Sequence, residues 1–213
     1  MSWKIWVLVP IIYGLFSLWY FNWSGPINAS EVEVFMEAFG KVEGSEHTDA
    51  EVFRRFLEED DGEEFVMLNL VELHQGDVAH PLSGEAMSAS NLVGEYFGPF
   101  SWALVKRGGH PVFQARTAGG YIDSWNAQNN VGFGLTAMMR YKSRRDLVEL
   151  VIDSAFADAH LYKLAAIERT ISYPTRIMLS SSLRPPMAVL LVLILLASLA
   201  QNLTFLRSRR RPA

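Results

Sequence analysis

Polar side chains alternate with apolar ones along two predicted strands of this 213-residue chain. Gln114 and Arg116 share one face of the first strand, and Thr136 and Arg140 share one face of the second, because successive side chains of a strand point to opposite sides. If these faces converge, they form a polar, cationic cavity suited to an anionic or quinone-like ligand. The alternative is that the arginines lie at the sheet rim or pair with the many carboxylates.

Asn69 is the one polar residue inside the apolar run Phe65–Leu73 apart from Glu72. The run is nearly continuous, which is typical of a strand that is covered on both faces. An amide in such a strand must be hydrogen-bonded. Asn69 is therefore either a group that orients a ligand or a structural residue that links its strand to a neighbouring loop.

Several kinds of chemistry are excluded or unsupported by composition. The chain has no cysteine, so it has no disulfide, thiolate nucleophile, zinc–thiolate site or iron–sulfur ligand. The five histidines are not spaced as metal pairs, and there is no nucleophile elbow or glycine-rich phosphate loop. We predict no catalytic residue, no metal site and no cofactor. The acidic run Glu58–Glu64 is interpreted as a solvated loop.

Charge is distributed unevenly along the chain. The formal net charge is −4, all Asp and Glu residues lie between Glu31 and Glu168, and five of the 19 basic residues lie at the two ends. The central part is therefore strongly acidic and repels polyanions. We predict that the protein does not bind nucleic acid.

Two long apolar segments, Ile5–Phe21 and Met187–Leu206, contain no charged residue. Their length is sufficient to cross the hydrocarbon core of a bilayer. We predict transmembrane helices over 1–23 and 186–206; a cleaved signal peptide is the alternative for the first. The basic tail 207–213 and Lys4 indicate that both termini are cytoplasmic. The central domain would then be periplasmic, in a bacterial inner membrane.

Between the spans we predict a helical linker segment over 24–62 and a domain over 63–182. Asp49 and Ser143 are expected to cap helices. The domain pattern is strand, helix, strand, strand, helix, strand, which predicts an α+β fold of the ferredoxin-like βαββαβ type. Its expected strands are 65–73, 111–117, 133–141 and 171–179, and its expected helices are 84–105, 143–155 and 158–169.

Short motifs in the range 63–180 resemble an uncharacterised family of small dimeric α/β-barrel proteins. The motifs are Met67-Leu68-Asn69-Leu70, Gly84-Glu85, Arg107-Gly108-Gly109, Arg140-Tyr141-x-Ser143-Arg144 and Arg169. The resemblance implies that two ferredoxin-like sheets pair into an eight-stranded barrel around a cavity. Some relatives are cofactor-independent monooxygenases that use Asn, Trp and Arg around their substrate, and Asn69, Trp125 and Arg116 would take those roles. The chain departs from the family at Lys142, where a proline is usual.

These observations lead to two functional hypotheses. The first is an accessory or structural subunit whose periplasmic domain assembles with other membrane subunits or with its own copy, in contact with membrane lipid. The alternative is an enzyme or binding protein for a lipophilic quinone, haem or aromatic compound held in the barrel cavity by Asn69, Gln114, Arg116, Trp125 and Arg140.

Overall fold

The computed structural model describes residues 3–126 and 132–209, with side chains up to residue 206. The described chain forms two compact units. One unit, which we call the central unit, comprises residues 24–176; the other comprises the segments before and after it. The predicted loop 119–130 and the predicted basic tail 207–213 lie partly outside the described residues.

The helices are α1 (Trp3–Tyr20), α2 (Ala29–Phe39), α3 (Ala50–Glu58), α4 (Ala89–Lys106), α5 (Arg144–Val151), α6 (Ala157–Ala166) and α7 (Pro185–Arg209). The strands are β1 (Phe65–Leu73), β2 (Asp77–Ala79), β3 (Ala86–Ser88), β4 (His110–Arg116), β5 (Leu135–Tyr141) and β6 (Ile167–Thr175).

Both terminal helices are long and apolar enough to cross a membrane: α1 in full, and α7 from Pro185 to Leu206. Their apolar side chains are mostly exposed. The two helices contact each other, and the indole Nε1–H of Trp6 donates a hydrogen bond to Oε1 of Gln201. The polar side chain of Gln201 therefore has a partner on the other terminal helix.

Side-chain caps fix where the helices of the central unit begin. The Asp49 carboxylate accepts hydrogen bonds from the Glu51 and Val52 amides, and the Ser143 hydroxyl accepts one from the Asp146 amide. Both predicted caps are confirmed. These bonds satisfy amides that have no partner in the first helical turn.

The central unit contains a four-stranded antiparallel sheet in the order β4-β5-β1-β6, together with a separate two-stranded hairpin of β2 and β3. The architecture is therefore mixed α+β. Pro174 lies on β6, an edge strand, where the missing amide leaves one edge position of the sheet without a donor.

Several element boundaries differ from the sequence prediction: the strand expected at 171–179 is Ile167–Thr175, and the helix expected at 143–155 ends at Val151. Two further differences have clear causes. The helix expected from Gly84 begins at Ala89, because Gly84 has a φ of 74° and lies with Glu85 in the turn between β2 and β3. The helix expected to reach Arg169 ends at Ala166, because Ile167 and Arg169 already pair with β1. Cross-strand hydrogen bonding overrides the local helical pattern at that point.

The helices cover one face of the sheet. Phe65, Met139 and Tyr141 pack in a buried cluster with α4 and α5 side chains, including Leu104 and Leu150. The segment 24–62, predicted as a helical linker, contains α2 and α3 and belongs to the same compact unit. Its apolar residues form a second buried cluster on α5, consisting of Ile27, Val32, Phe35, Leu57 and Val148.

Candidate functional site

The strand register separates the sheet residues into two sets, because directly opposed residues of antiparallel strands point to the same face. Phe65 opposes Tyr141, and Met67 opposes Met139. These residues belong to the buried cluster or pack against it, so their set faces the helices. The even-numbered positions of β1 point to the other side.

We call this other side the open sheet face. Two rows of opposed residues cross all four strands there: Tyr173, Leu68, Met138 and Phe113, and Ile171, Leu70, Thr136 and Ala115. None of the eight belongs to a buried cluster of the described chain. Phe113, Ile171 and Tyr173 are 50%, 48% and 44% exposed. An exposed apolar patch of this kind is a candidate interaction surface.

Asn69 points to the helix side and is half-buried. Its amide Nδ2 donates to the carbonyl oxygens of Met67 (3.2 Å) and Ala137 (3.3 Å), and the Ser172 hydroxyl donates to its Oδ1 (2.7 Å). Asn69 therefore links β1 to both neighbouring strands. The hydrogen bonds that its position requires are supplied by the sheet itself.

Gln114, Arg116 and Trp125 lie at the edge of the sheet or beyond it. Gln114 opposes Ala137, which opposes Asn69, so the Gln114 and Arg116 side chains are on the Asn69 side of the sheet. Both are exposed. Trp125 is in the loop after β4 and is 81% exposed.

Arg140 lies on the opposite side of the sheet from Asn69 and is only 3% exposed. Its Nε and Nη2 donate to Oε2 of Glu64 at 2.8 and 2.5 Å, and its Nη1 donates to the Gly108 carbonyl at 2.6 Å. The structure thus brings Asn69, Gln114 and Arg116 to one side and does not bring Arg140 to them.

The Arg107-Gly108-Gly109 motif joins α4 to β4. Arg107 forms an ion pair of 2.8 Å with Asp153, and this hydrogen bond lowers the pKa of the Asp153 carboxyl. Gly108 has a φ of 76°, which favours glycine. A Cβ on Gly109 would lie 2.6 Å from the Arg140 carbonyl oxygen. The motif therefore ends α4, and the missing side chain of Gly109 allows the backbone of β5 to approach closely.

The acidic loop, Asp60–Glu64, is solvent-exposed as expected apart from Asp60, but its carboxylates are paired. Arginines from α5, β5 and the residue after β6 pair with four of its carboxylates: Arg144 with Asp60, Arg140 with Glu64, and Arg176 with both Asp61 and Glu63. The hydrogen bond from Arg176 lowers the pKa of Asp61. These arginines are about 76 to 115 residues away from the loop along the chain, so no local sequence pattern predicts the ion pairs.

The acidic loop also holds the first residues of the central unit. The Ile27 amide donates to Oδ2 of Asp60 at 2.8 Å, and the Asp60 side chain is fully buried. Arg176 is the last residue of the unit. The chain therefore enters and leaves the central unit at the same loop.

A cavity of about 320 Å³ opens beside this loop, between α3 and the end of β6. It is lined by Val52, Arg55, Phe56, Glu59, Glu63, Phe65, Arg144, Pro174, Thr175 and Arg176. None of the five residues predicted to bind a ligand lines it. In the part of the chain that the structure describes, no group of three metal-ligating side chains occurs.

No family model matches this chain, and no curated protein matches it. Two crystal structures of the RPA0582 protein have a similar fold. One is of the methylated protein, with a TM-score of 0.53, and covers 63% of this chain and 96% of that chain. The other is described as a protein of unknown function from Rhodopseudomonas palustris, with a TM-score of 0.52 and coverages of 62% and 96%. Both are 21% identical, so the likeness concerns the fold, and nothing in these comparisons supports a relationship to the monooxygenases.

Proposed function

We propose that this chain is a two-span membrane protein whose central unit is a ferredoxin-like assembly module. The strand order β4-β5-β1-β6 and the helices between β1 and β4 and between β5 and β6 support the ferredoxin-like assignment. The two long apolar helices support the membrane location. The module associates through the open sheet face.

The observation that carries this proposal is the central strand β1. Its sequence is apolar at positions on both faces; the helices pack on one of them, and on the other side β1 is buried only at its Val66 end. Leu68 and Leu70 lie in the middle of the uncovered side, next to Met138. Removing apolar surface from water stabilises association by about 25 cal/mol for each Å². We therefore expect a second apolar surface to cover the open sheet face.

We assign that cover to a second copy of the chain. Two open sheet faces in contact would form the eight-stranded barrel that the family resemblance implies. Anchoring both copies in one bilayer raises their effective concentration, so a modest contact area is enough for a stable dimer. Another membrane subunit with an apolar sheet face is the competing partner.

The ligand-binding alternative is less well supported by the same geometry. A barrel built from open sheet faces would be lined mainly by aliphatic and aromatic side chains. Asn69 and Arg116 point away from that interior, and the donors of Arg140 are occupied by Glu64 and Gly108. These positions favour assembly over small-molecule chemistry.

The proposed topology places both termini in the cytoplasm and the central unit in the periplasm of a bacterial cell. Lys4 and the arginines of 207–211 support it through the excess of positive charge on cytoplasmic segments. The chain has no cysteine, so Val34→Cys, an exposed position on α2, gives one unique thiol. We expect a membrane-impermeant maleimide to label it in intact spheroplasts; labelling only after lysis would reverse the topology.

The assembly itself is tested by light scattering of the full chain in mild detergent. We expect the wild-type protein to have the mass of two copies and Ile171→Lys to have the mass of one. Ile171 is on an edge strand and half-exposed, so a lysine there leaves the fold intact, which circular dichroism checks. Val52→Lys, at a 60% exposed position on α3, is the matched control and should remain dimeric.

Two results would contradict the proposal. A wild-type chain of one-copy mass that purifies alone would remove the assembly function. An unchanged two-copy mass in Ile171→Lys would place the contact elsewhere. If the wild-type chain instead purifies with a different membrane protein and the Ile171→Lys variant does not, the partner of the open sheet face is that protein and not a second copy.

A further inference from the structure

The cavity between α3 and β6 is lined by both apolar and charged side chains. Val52, Phe56, Phe65 and Pro174 supply the apolar part. Three arginines and two glutamates supply the charged part: Arg55, Arg144, Arg176, Glu59 and Glu63. A volume of about 320 Å³ falls within the range of small-ligand sites.

Most of these charged side chains are already paired. Arg144 donates to the Phe56 carbonyl, lies 4.6 Å from the Phe56 ring centre and pairs with Asp60. Arg176 pairs with Asp61 and with Glu63.

Arg55 and Glu59 are different. They lie four residues apart on the α3 side of the cavity, and both are exposed. Among the ion pairs of the described chain, none involves Arg55 or Glu59. One cation and one anion without an ion-pair partner among the described residues therefore line the same cavity as the apolar side chains.

A ligand that satisfies this arrangement carries a phosphate and a primary amine joined to an apolar body. A guanidinium forms strong charge-assisted hydrogen bonds with phosphate. A primary ammonium group, with three donors, complements a free carboxylate. The apolar side chains of the cavity contact the apolar body, which in a phospholipid is the glycerol and the first carbons of the acyl chains.

The central unit, which contains this cavity, is joined at both ends to helices that are long and apolar enough to cross a membrane. Six residues, 21–26, separate the end of α1 from Ile27, whose amide is bound to Asp60. Eight residues, 177–184, separate Arg176 from α7. Extended segments of these lengths span at most about 20 and 28 Å. If α1 and α7 cross a bilayer, both linkers tether the central unit to a membrane, which is a source of such lipids.

We propose that this cavity binds the headgroup of phosphatidylethanolamine, with Arg55 on the phosphate and Glu59 on the amine. The inference rests on the membrane location proposed above, but it does not depend on the open sheet face.

The test uses the full chain, purified in mild detergent, and native mass spectrometry with added lipid. We expect phosphatidylethanolamine to bind, Arg55→Gln to weaken binding about tenfold because one charge-assisted contact is lost, and Arg54→Gln to change it less than twofold. Arg54 is the matched control because it is the adjacent arginine on α3, pairs with Glu33, and is absent from the cavity lining. Phosphatidylglycerol, which lacks the amine, should bind more weakly and be insensitive to Glu59→Gln.

Three outcomes would overturn the inference: no bound phosphatidylethanolamine, equal losses in Arg55→Gln and Arg54→Gln, or binding of soluble glycerophosphoethanolamine as tight as that of the lipid. The last would identify a free metabolite as the ligand. The two-copy mass should persist in Arg55→Gln, and lipid binding should persist in Ile171→Lys. Failure of one proposal is therefore distinguishable from failure of the other.

Discussion

Replacing Arg140 with methionine tests whether this arginine holds the central unit together. Methionine keeps much of the packing volume of the buried stem and removes all three charged hydrogen bonds to Glu64 and Gly108. The buried Gly108 carbonyl loses a donor, whereas Glu64 is 43% exposed and can be hydrated. Breaking a buried ion pair from one side costs about 3 to 5 kcal/mol. We take about 3 kcal/mol because Glu64 regains water.

The assay is thermal unfolding of the full chain in detergent, followed by near-ultraviolet circular dichroism. For a unit of this size, about 3 kcal/mol corresponds to a fall in Tm of about 6 to 12 °C. Arg116→Met is the control, since Arg116 is exposed on the same sheet and should shift Tm by less than about 2 °C. Equal Tm values for Arg140→Met and the wild-type chain would show that the Arg140 guanidinium is not committed to internal bonds, and would restore it as a ligand-binding candidate.

Three further outcomes follow from the contacts of the central unit. Gly109→Ala should lower Tm by about 4 to 8 °C, equivalent to about 2 kcal/mol of overpacking against the Arg140 carbonyl, whereas Gly94→Ala, which meets open space on α4, should not lower it. Asn69→Ala should cost about 1 kcal/mol, and the double variant with Ser172→Ala should cost less than the sum of the two single losses, because their hydrogen bond is shared. The hydrogen bond from Arg145 lowers the pKa of Glu31 to about 2, so the stability it supplies is present above its ordinary pKa of 4.5 and is lost as the pH falls from there towards 2. The Tm difference between the wild-type chain and Glu31→Gln should therefore shrink over that range, and a constant difference would contradict the pairing.

The parts of the fold that the sequence predicts well are those with local causes. Phe65–Leu73 is a strand at its predicted bounds, because a nearly continuous apolar run of this length, bounded by polar loops, is too short for a typical helix. Asp49 and Ser143 cap helices because their side chains reach amides two or three residues away. The apolar helices follow from composition alone.

The missed features are a short hairpin in a polar stretch and several pairings between residues far apart in sequence. The hairpin of β2 and β3 lies in a stretch that contains polar and glycine residues, and the pairing of Asp77 with Ser88 gives it its register. Ile167 continues a helical pattern, but its pairing with Leu73 makes it strand. The same holds for the candidate sites. Strand alternation correctly grouped Gln114 with Arg116, but only the register shows that Arg140 points to the other side.

The two ends of the central unit meet at the acidic loop. Ile27 and Arg176 are held by neighbouring residues of that loop, so the first and last residues of the central unit are close together. Domains with adjacent ends can be inserted into a host chain, or removed from it, with little disturbance to either. The central unit has this property with respect to the helical pair that precedes and follows it. A short Gly/Ser bridge in place of residues 24–176 would leave a hairpin of α1 and α7, and the excised unit could be closed into a circle through a similar bridge.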